Sequence, residues 1–464
     1  MSVPSWIYDA VFYQIFPDRF ANGDPGNDPA NVQPWGTLPT RRGFQGGDLR
    51  GIIQKMDYLT DLGINAIYLN PIFMAPSTHR YDTYDYLRID PKLGDLSDFH
   101  ALIDAAHGRN MRVILDGVFN HCSRGFFAFH DILENEEESP YLDWFHVKKF
   151  PLRAYEHGHA RNYQAWWGIK SLPKFNTDNP EARRYLLNVA RYWIEQGADG
   201  WRLDVPNEID DDSFWAEFRE VVYATNPQSY TLGEIWESVP RWVGPNHFDG
   251  LMNYPVLAAQ LHYLKGEWTT TQFAQQVESL LQAYPQENIP AMYNLLGSHD
   301  TERIHTRLDG SAEKVKLAAL FQFAYPGAPA IYYGDEVGME GGKDPDCRRA
   351  FIWDEAQWDS GLRDWFQKLI AARKARPALT RGAYIPLLAI EKPAAYAFAR
   401  ATDDDRVIVA INPGLSPAEV RIPVESLGLA DGVVLHGLLR SEEAVVQGGE
   451  VHITLPPVGG VYLG

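Results

Sequence analysis

Four short apolar segments of the sequence end in side chains that could do acid, base or nucleophilic chemistry. The most informative is residues 199–208, in which Arg202 and Asp204 are two positions apart. Alternate side chains of an extended strand lie on one face, so this spacing predicts a guanidinium beside a carboxylate. The guanidinium would lower the carboxyl pKa and keep the group ionised, as a carboxylate nucleophile requires. A purely structural ion pair at the end of a strand would explain this stretch equally well.

The other three segments cover residues 109–121, 230–236 and 290–300, and each also ends in acids or histidines. Four apolar strands that end in charged groups, with helical patterns between them, predict a β/α barrel whose functional site lies at the carboxyl ends of the strands. Packing alone does not explain such an arrangement. The candidate side chains at these ends are Asp116, His121, Glu234, His299 and Asp300.

The rest of the chain supplies the elements that must position these side chains. Further strands are predicted at 11–16, 64–69, 248–253 and 329–336, and helices at 48–62, 98–108, 178–197 and 361–374. Residues 121–176 break this alternation and are rich in aromatic residues, which predicts a small inserted subdomain. After residue 378 the hydrophobic period becomes two, which predicts an antiparallel sheet domain with short strands at 394–400, 406–412, 419–423, 433–439 and 451–455.

The predicted fold class is therefore α/β: a (β/α)8 TIM barrel with a small subdomain inserted after strand three and a C-terminal antiparallel β-sandwich. Residues 1–120 and 177–378 are assigned to the barrel, 121–176 to the inserted subdomain and 379–464 to the sandwich.

Charge and composition exclude several kinds of partner. The chain has 464 residues, 45% of them hydrophobic, and a formal net charge of −19. Neither nucleic acid nor an anionic membrane is expected, because either would require a basic surface. A neutral substrate is compatible with this charge, although acidity also simply favours solubility.

Compartment is predicted from the cysteines and the N-terminal residues. Cys122 and Cys347 are too few for a disulfide framework, and we expect reduced thiols near the site; a single disulfide bond between them is the alternative. The first residues lack the charged and apolar regions of a signal peptide, and no apolar run approaches membrane-spanning length. We therefore expect a cytoplasmic protein.

Four motifs carry a resemblance to a known family. Asp-Gly-Val-Phe-Asn-His at 116–121, Gly-Trp-Arg-Leu-Asp-Val at 200–205, Gly-Glu-Ile-Trp at 233–236 and Ser-His-Asp at 298–300 resemble, in order, the four signature segments of the α-amylase superfamily of glycoside hydrolases. Four matches in register are highly specific, and the likeness covers nearly the whole chain.

Within that superfamily, residues 12–24 and 172–176 are most similar to the neopullulanase, cyclomaltodextrinase and maltogenic amylase group. Members of this group usually carry an N-terminal β-domain that forms a dimer and narrows the cleft. Because this sequence starts at the barrel, we expect a monomer with an open cleft.

The resemblance implies roles for the three acids. Asp204 would be the nucleophile and Glu234 the general acid/base of a retaining mechanism, which needs two carboxyl groups ~5–5.5 Å apart, one ionised and one protonated. The residues agree, since Arg202 would hold Asp204 ionised and desolvation would raise the pKa of Glu234. Asp300 would orient the 2- and 3-hydroxyls of the sugar.

The resemblance also implies residues that bind substrate. Two histidines would donate to hydroxyls, a tyrosine would stack on a pyranose, and a tryptophan would line the leaving-group side. An Asp–Arg pair would close the non-reducing end, or form an ordinary surface ion pair, and Asp116 would support Arg202. The predicted substrate-binding residues are His79, Tyr81, His121, Arg202, Trp236, His299, Asp344 and Arg348.

A calcium site is predicted near the N-terminus. Asn22, Asp24, Asn27 and Asp28 gather oxygen ligands in one tight loop, which suits Ca²⁺. The resemblance adds the carbonyl of Gly46 and the side chain of Asp48 to this site. We expect a structural ion and no organic cofactor; an Asx-rich turn without an ion is the alternative.

The leading hypothesis is a retaining hydrolase of α-1,4-glucosidic bonds in malto-oligosaccharides, cyclodextrins, pullulan and starch, with α-1,6 cleavage and transglycosylation as side activities. A glucan transferase or isomerase would use the same acids. A Zn²⁺ hydrolase built on His121 and His299 is a second class, against which strand one carries Tyr-Gln-Ile rather than a histidine pair. A non-catalytic α-glucan-binding protein is a third, although all three acids are present.

Overall fold

Parallel strands form the centre of the molecule. The computed structural model describes residues 3–464, and its largest sheet has eight strands in the order β8-β7-β6-β5-β2-β1-β10-β9. A parallel bridge between Met252 and Tyr293 joins the two edges and closes the barrel. The strands are β1 (Phe12–Ile15), β2 (Ala66–Leu69), β3 (Phe73–Met74), β4 (Asp85–Ile89), β5 (Arg112–Gly117), β6 (Gly200–Leu203), β7 (Tyr230–Gly233), β8 (Gly250–Leu251), β9 (Tyr293–Leu295), β10 (Ala328–Tyr332), β11 (Ala383–Glu391), β12 (Ala394–Ala401), β13 (Arg406–Asn412), β14 (Ala418–Pro423), β15 (Val434–His436), β16 (Glu443–Gln447), β17 (Glu450–Leu455) and β18 (Gly459–Leu463).

Helices cover the outside of the barrel strands. Because side chains also fill the interior of the barrel, these strands are buried along their length and their sequences are nearly continuous apolar runs. The α-helices are α1 (Pro17–Phe20), α2 (Leu49–Gln54), α3 (Met56–Leu62), α4 (Leu96–His107), α5 (Phe127–Asn135), α6 (Pro180–Glu195), α7 (Asp212–Thr225), α8 (Tyr254–Leu264), α9 (Thr270–Ala283), α10 (Ile304–Arg307), α11 (Ala312–Ala324), α12 (Ser360–Ala375) and α13 (Pro377–Arg381). Within residues 3–464, no helix is both long and apolar enough to cross a membrane.

The predicted (β/α)8 barrel is confirmed, with local differences in its elements. The helix predicted over 48–62 is two helices, α2 and α3, separated by Lys55, whose ψ of 9° departs from helical geometry. The seventh strand ends at Leu295, so His299 and Asp300 lie in the loop that follows it rather than on the strand. Gly297 and Ser298 belong to this loop, and apolar periodicity could not separate it from the strand.

Residues 121–176 hold α5 and short antiparallel bridges instead of barrel elements. One bridge pairs His121 with Lys174, so the two ends of the segment lie side by side, and another pairs Phe145 with Phe175. Its interior is packed with aromatic rings such as Phe126, Phe129 and Phe145. The exact boundaries assigned to the four segments of the chain stay predictions.

Two four-stranded antiparallel sheets, β11-β12-β13-β18 and β14-β17-β16-β15, form the C-terminal sandwich and confirm that part of the fold. Its small core includes Ile422, Val446 and Val451. Three of its strands, β11, β16 and β18, were not predicted. The register of β11 shifts between Pro386 and Leu388, which breaks its alternation.

Candidate active site

Strand β6 delivers the central cation of the site. Arg202 is on β6 and Asp204 follows the strand by one residue. The guanidinium of Arg202 is fully buried; its Nη1 lies 2.7 Å from Oδ1 of Asp116 and 3.2 Å from Oδ1 of Asp204. The first residue of β6 is a glycine, Gly200, because a Cβ at this position would collide with the carbonyl oxygen of Tyr230. The support of Arg202 by Asp116 is thus present as expected.

Strand β7 delivers the second acid to the same guanidinium. Glu234 follows Gly233, the last residue of β7, and its Oε2 lies 2.9 Å from Nη2 of Arg202. The indole N–H of Trp236 donates to Oε1 of Glu234 at 3.2 Å. Asp204 and Glu234 therefore contact the same guanidinium, through its two terminal nitrogens.

The turn after Asp204 also positions Glu234. Val205 has a φ of 37° and a ψ of 51°, a left-handed conformation that is strained for a β-branched residue. In this conformation its backbone N–H donates to Oε2 of Glu234 at 3.1 Å. The strained conformation of Val205 thus directs its backbone N–H toward Glu234.

The electrostatics of the two acids differ from the sequence expectation. Burial raises the pKa of Asp204, the neighbouring Glu234 raises it further, and Arg202 opposes both. Burial also raises the pKa of Glu234, against Arg202 and the N–H of Val205. Arg202 therefore does not hold the pKa of Asp204 low as the sequence predicted, because burial and the neighbouring Glu234 outweigh a guanidinium that is shared by both acids.

His299 lies between amide donors and the third acid. Its Nδ1 is 2.9 Å from Nε2 of Gln14 and 3.1 Å from Nδ2 of Asn70. Both amide groups donate, so Nδ1 accepts and the ring proton is on Nε2. That N–H faces Oδ2 of Asp300 at 2.9 Å and the hydroxyl of Tyr81 at 2.6 Å. The imidazole is held as a fixed donor toward the site.

Asp300 is held ionised by its neighbours. Burial raises its pKa, but His299 and Arg348 outweigh burial and lower it below the ordinary value. Nη2 of Arg348 lies 3.1 Å from Oδ1 of Asp300, and Nη1 lies 2.9 Å from Oδ1 of Asp344. The Arg348 side chain is only 12% exposed. The Asp344–Arg348 pair is thus connected to the third acid and is not an isolated surface ion pair.

Tyr81 and His79 lie beside this cluster. The ring of Tyr81 is within 7° of parallel to that of His299 and within 25° of that of His79. Its hydroxyl donates to Oδ2 of Asp116 at 2.7 Å, and its backbone N–H donates to Nδ1 of His79 at 3.1 Å. Burial lowers the pKa of His79 to about 3, so this ring is neutral.

His121 is the other predicted hydroxyl donor. Nδ2 of Asn120 lies 3.2 Å from its Nδ1, which makes Nδ1 an acceptor and leaves the proton on Nε2. Within residues 3–464, this buried Nε2 has no hydrogen-bond partner. Burial lowers the pKa of His121 to about 3. A neutral imidazole with an unused donor fits a sugar hydroxyl.

Trp236 lies at the edge of the site with its ring half-exposed. It stacks on Tyr254, with ring centroids 3.8 Å apart and planes within 5°. Trp236 therefore lies beside Glu234, and its place on the leaving-group side stays a prediction.

Three further residues complete the site and were missed in the sequence. Gln14 of β1 and Asn70, which follows β2, fix His299. Tyr68 of β2 donates its hydroxyl to Oδ2 of Asp116 at 2.5 Å. All three are polar side chains on or just after apolar strands, which is the pattern from which the acids were predicted. They are uncharged, however, and the sequence alone did not distinguish them from polar residues of the core.

The two cysteines are both buried and unpaired among residues 3–464. The thiol of Cys347 lies 3.2 Å from the carbonyl oxygen of His299. Cys122 follows His121 directly, so both thiols are beside the site.

A Zn²⁺ site does not fit these donors. Nδ1 of His299 accepts from two amides and Nε2 carries the proton, so the ring has no lone pair free for a metal. In the part of the chain from residue 3 to 464, no cluster of three or more His, Cys, Asp or Glu is arranged to hold a metal.

The loop predicted to bind Ca²⁺ presents unused oxygens. Oδ1 of Asn22 and Oδ1 of Asn27 are buried and find no partner within residues 3–464. The carboxylate of Asp28 accepts from Nδ2 of Asn22 at 2.9 and 3.1 Å. A Cβ on Gly46 would collide with Oδ1 of Asp28, so Gly46 is packed against the same group. Orphaned oxygens beside a carboxylate fit a hard cation.

Two predicted ligands of that site are engaged elsewhere. Oδ2 of Asp24 lies 2.7 Å from Nη1 of Arg50. Asp48 is the N-cap of α2, where Oδ1 accepts from the N–H of Gly51 at 2.6 Å and Oδ2 accepts from that of Asp24 at 2.8 Å. Asp48 thus has an independent structural reason to be an aspartate.

Comparisons with known proteins agree with this geometry. A model of the alpha amylase catalytic domain matches residues 14–382. The cyclomaltodextrinase of Geobacillus thermopakistaniensis is 44% identical over 98% of this chain and 77% of its own length. Neopullulanase 2 of Thermoactinomyces vulgaris is 42% identical over 100% of this chain and 78% of its own length.

Solved structures give the same result. The ligand-free cyclic α-maltosyl-(1→6)-maltose hydrolase from Arthrobacter globiformis superposes with a TM-score of 0.91, at 41% identity, over 100% of this chain and 99% of that one. The debranching enzyme of Nostoc punctiforme also has a TM-score of 0.91, at 42% identity, over 100% of this chain and 99% of that one. The domain match, the relatives and the shared fold place this chain in the α-amylase family of glycoside hydrolases.

Proposed function

We propose that this protein hydrolyses α-1,4-glucosidic bonds with retention of configuration, through a covalent glycosyl-enzyme intermediate. The observation that carries the proposal is the pair of buried carboxyl groups, Asp204 and Glu234, on the one guanidinium of Arg202. Two carboxyl groups on one guanidinium, one ionised and the other protonated, would supply a nucleophile and an acid at once.

In the first step, Glu234 gives its proton to the glycosidic oxygen while a carboxylate oxygen of Asp204 attacks the anomeric carbon. The bond from that carbon to the glycosidic oxygen breaks, an ester to Asp204 forms, and the leaving sugar departs as an alcohol. In the second step, the Glu234 carboxylate takes a proton from water, the water oxygen attacks the anomeric carbon, and Asp204 is released. Arg202 stabilises the negative charge wherever it lies on the pair.

The remaining residues hold the sugar. The Nε2–H of His121 would donate to a hydroxyl of the reacting glucose, because this buried donor has no partner within residues 3–464. The Nε2–H of His299 faces Asp300 and the hydroxyl of Tyr81, and a sugar hydroxyl would share it with these acceptors. The ionised Asp300 would accept from two adjacent hydroxyls, and Arg348 keeps it charged. These contacts would strengthen as the ring flattens toward the oxocarbenium-like transition state.

We propose malto-oligosaccharides, cyclodextrins, pullulan and starch as substrates, with transglycosylation when a sugar replaces water in the second step. The relatives include cyclomaltodextrinases and a neopullulanase, and an Arthrobacter relative is named for a cyclic substrate with a 1→6 link. We therefore propose that α-1,6 bonds are also cleaved. A Bacillus subtilis relative is named intracellular, and we propose a cytoplasmic enzyme here as well.

Product analysis tests the proposal. Maltotriose, β-cyclodextrin, pullulan and soluble starch should each release free reducing sugar in the α configuration, seen by NMR of the first products. Asp204→Asn and Glu234→Gln should each lower kcat by roughly a thousandfold or more. Products without new reducing ends would favour a transferase or isomerase, and an Asp204→Asn variant that retains turnover would favour a binding protein.

We also propose that Ca²⁺ binds the loop at Asn22, Asn27 and Asp28, with the carbonyl of Gly46, and stabilises it. The two orphaned amide oxygens and the carboxylate support this. Adding Ca²⁺ to chelator-treated protein should raise the Tm, and Asn27→Ala should abolish that rise while Asn188→Ala, an exposed residue of α6, should not. An unchanged Tm in the native sequence would overturn the site.

A further inference from the structure

Three nearly parallel rings lead from the active site to the surface. The ring of Trp166 stacks on His121 with centroids 5.3 Å apart and planes within 16°. The ring of Trp167 stacks on Trp166 with centroids 4.6 Å apart and planes within 13°. His121 is buried, whereas Trp167 is 73% exposed. We call these three side chains the aromatic ladder.

The backbone holds the outer ring of the ladder in place at a cost. Trp167 has a φ of 49° and a ψ of 24°, the left-handed conformation that a bulky non-glycine residue rarely adopts. Strain of this kind persists only where the surroundings impose it, and it is concentrated at functional sites. The result here is a large apolar ring that faces solvent, which packing of the inserted segment does not require.

The ladder also contains unused donors. Within residues 3–464, the buried indole Nε1 of Trp166 has no hydrogen-bond partner, as is true of Nε2 of His121. Two buried donors without partners on adjacent rings indicate a ligand rich in hydroxyl groups at this wall. Such a ligand would reach Trp167 by passing the inner rings.

We propose that the outer face of Trp167 stacks on a glucosyl unit of a glucan chain that extends beyond the catalytic pocket. The apolar face of a pyranose fits a flat indole, and Trp166 joins this platform to the wall of the pocket. The protein should therefore prefer long glucans to short ones. This inference rests on the proposed function and adds to it a residue that selects for chain length.

Kinetics on two substrates test the platform. We would measure kcat/KM for maltoheptaose and for maltotriose with the native sequence, Trp167→Ala, Trp167→Tyr and Tyr155→Ala. Tyr155 is the matched control, because it is also an exposed aromatic (67%) of the inserted segment but packs on Arg124 rather than on the ladder. Circular dichroism would establish that each variant is folded.

The ratio of kcat/KM for maltoheptaose to that for maltotriose should fall about fivefold in Trp167→Ala, through KM, which is the size of one aromatic contact. Trp167→Tyr and Tyr155→Ala should keep the native ratio. An unchanged ratio in Trp167→Ala, or an equal fall in Tyr155→Ala, would overturn the inference.

The same experiment distinguishes failure of the proposed function from failure of the inference about Trp167. The proposed function fails if the native sequence cleaves neither substrate. Calorimetric titration with maltoheptaose would then decide the inference by itself: weaker binding to Trp167→Ala than to Tyr155→Ala supports the platform, and equal binding rejects it.

Discussion

Arg202 is the side chain on which the acids of the site converge. Its guanidinium contacts Asp116, Asp204 and Glu234 and is fully buried. A guanidinium offers five donors in a plane, so one residue can hold three carboxyl groups in fixed positions. Lysine, with a single charged nitrogen on a flexible stem, could not reproduce this arrangement.

Removal of that charge should be costly for stability as well as for turnover. Arg202→Gln should lower the free energy of unfolding by ~3–5 kcal/mol, because buried carboxylates lose their partner. The control is Arg241→Gln, whose exposed pairs with Asp210 and Asp212 should be worth less than ~1 kcal/mol. Urea denaturation of both variants measures the difference, and equal losses would contradict this account.

The buried histidines predict a pH dependence of stability. Burial lowers the pKa of His121 from 6.5 to about 3, so the unfolded chain binds more protons between these values. The stabilisation is complete above pH 6.5 and is lost as the pH falls below it. At pH 5.5 the loss should be ~1.4 kcal/mol for this histidine.

Denaturation at pH 7 and pH 5.5 measures this effect. Between these two pH values, the free energy of unfolding should fall less in His121→Gln than in the native sequence. In His157→Gln, a change at an exposed position, it should fall as much as in the native sequence. The same pH slope in His121→Gln as in the native sequence would show that His121 does not carry the effect.

At the scale of elements, the C-terminal sheet caps a helix of the barrel. Glu391, the last residue of β11, accepts at 3.0 Å from the N–H of Thr270 and at 3.0 Å from that of Thr271, in the first turn of α9. A carboxylate at a helix N-terminus accepts from the free N–H groups there and is attracted by the positive end of the helix dipole.

Glu391→Ala should therefore lower the free energy of unfolding by ~1 kcal/mol, the usual value of a cap. Glu443→Ala is the comparison, since Glu443 is on β16 and its salt bridge is to the exposed His436. Thermal unfolding should give a lower Tm for the first variant alone. A Tm that is equal in the two variants would mean that the cap adds nothing to the box formed by Thr269 and Gln272.

At the scale of the whole molecule, a buried arginine joins the sandwich to the barrel. Arg400 of β12 donates from Nη1 to the carbonyl oxygen of Ala324 in α11 at 2.7 Å and to that of Leu379 at 3.0 Å. It also donates from Nη2 to that of Gly382 at 2.9 Å. The two parts of the chain should consequently unfold together.

Arg400→Met should remove the side-chain donor from the carbonyl oxygens of Ala324 and Gly382, at ~1–3 kcal/mol for each group. Leu379 keeps a donor, because Nη1 of Arg373 also lies 2.9 Å from its carbonyl oxygen. Calorimetry should show one transition for the native sequence and a lower or divided transition for Arg400→Met. Two separate transitions in the native sequence would mean that the sandwich and the barrel are independent. The monomeric state expected from the sequence stays a prediction, which light scattering can measure.

The sequence by itself determined the barrel, the sandwich and the three acids. Strand and helix periods are local properties of the chain, and parallel strands bring their carboxyl ends to one edge, so the positions of Asp204, Glu234 and Asp300 along the chain are enough to assign them to one site. One of the strands that were missed, β11, has a bulge that hides the period of two.

Only the tertiary structure decided how the acids are partnered. Most of the deciding contacts join residues that are far apart in sequence or on different elements. Arg202 is shared by Asp116, Asp204 and Glu234. Gln14 and Asn70 set the tautomer of His299, and Trp167 ends the aromatic ladder that begins at His121. Periodicity specifies which face of an element is buried, but the packing of separate elements specifies which side chains meet there.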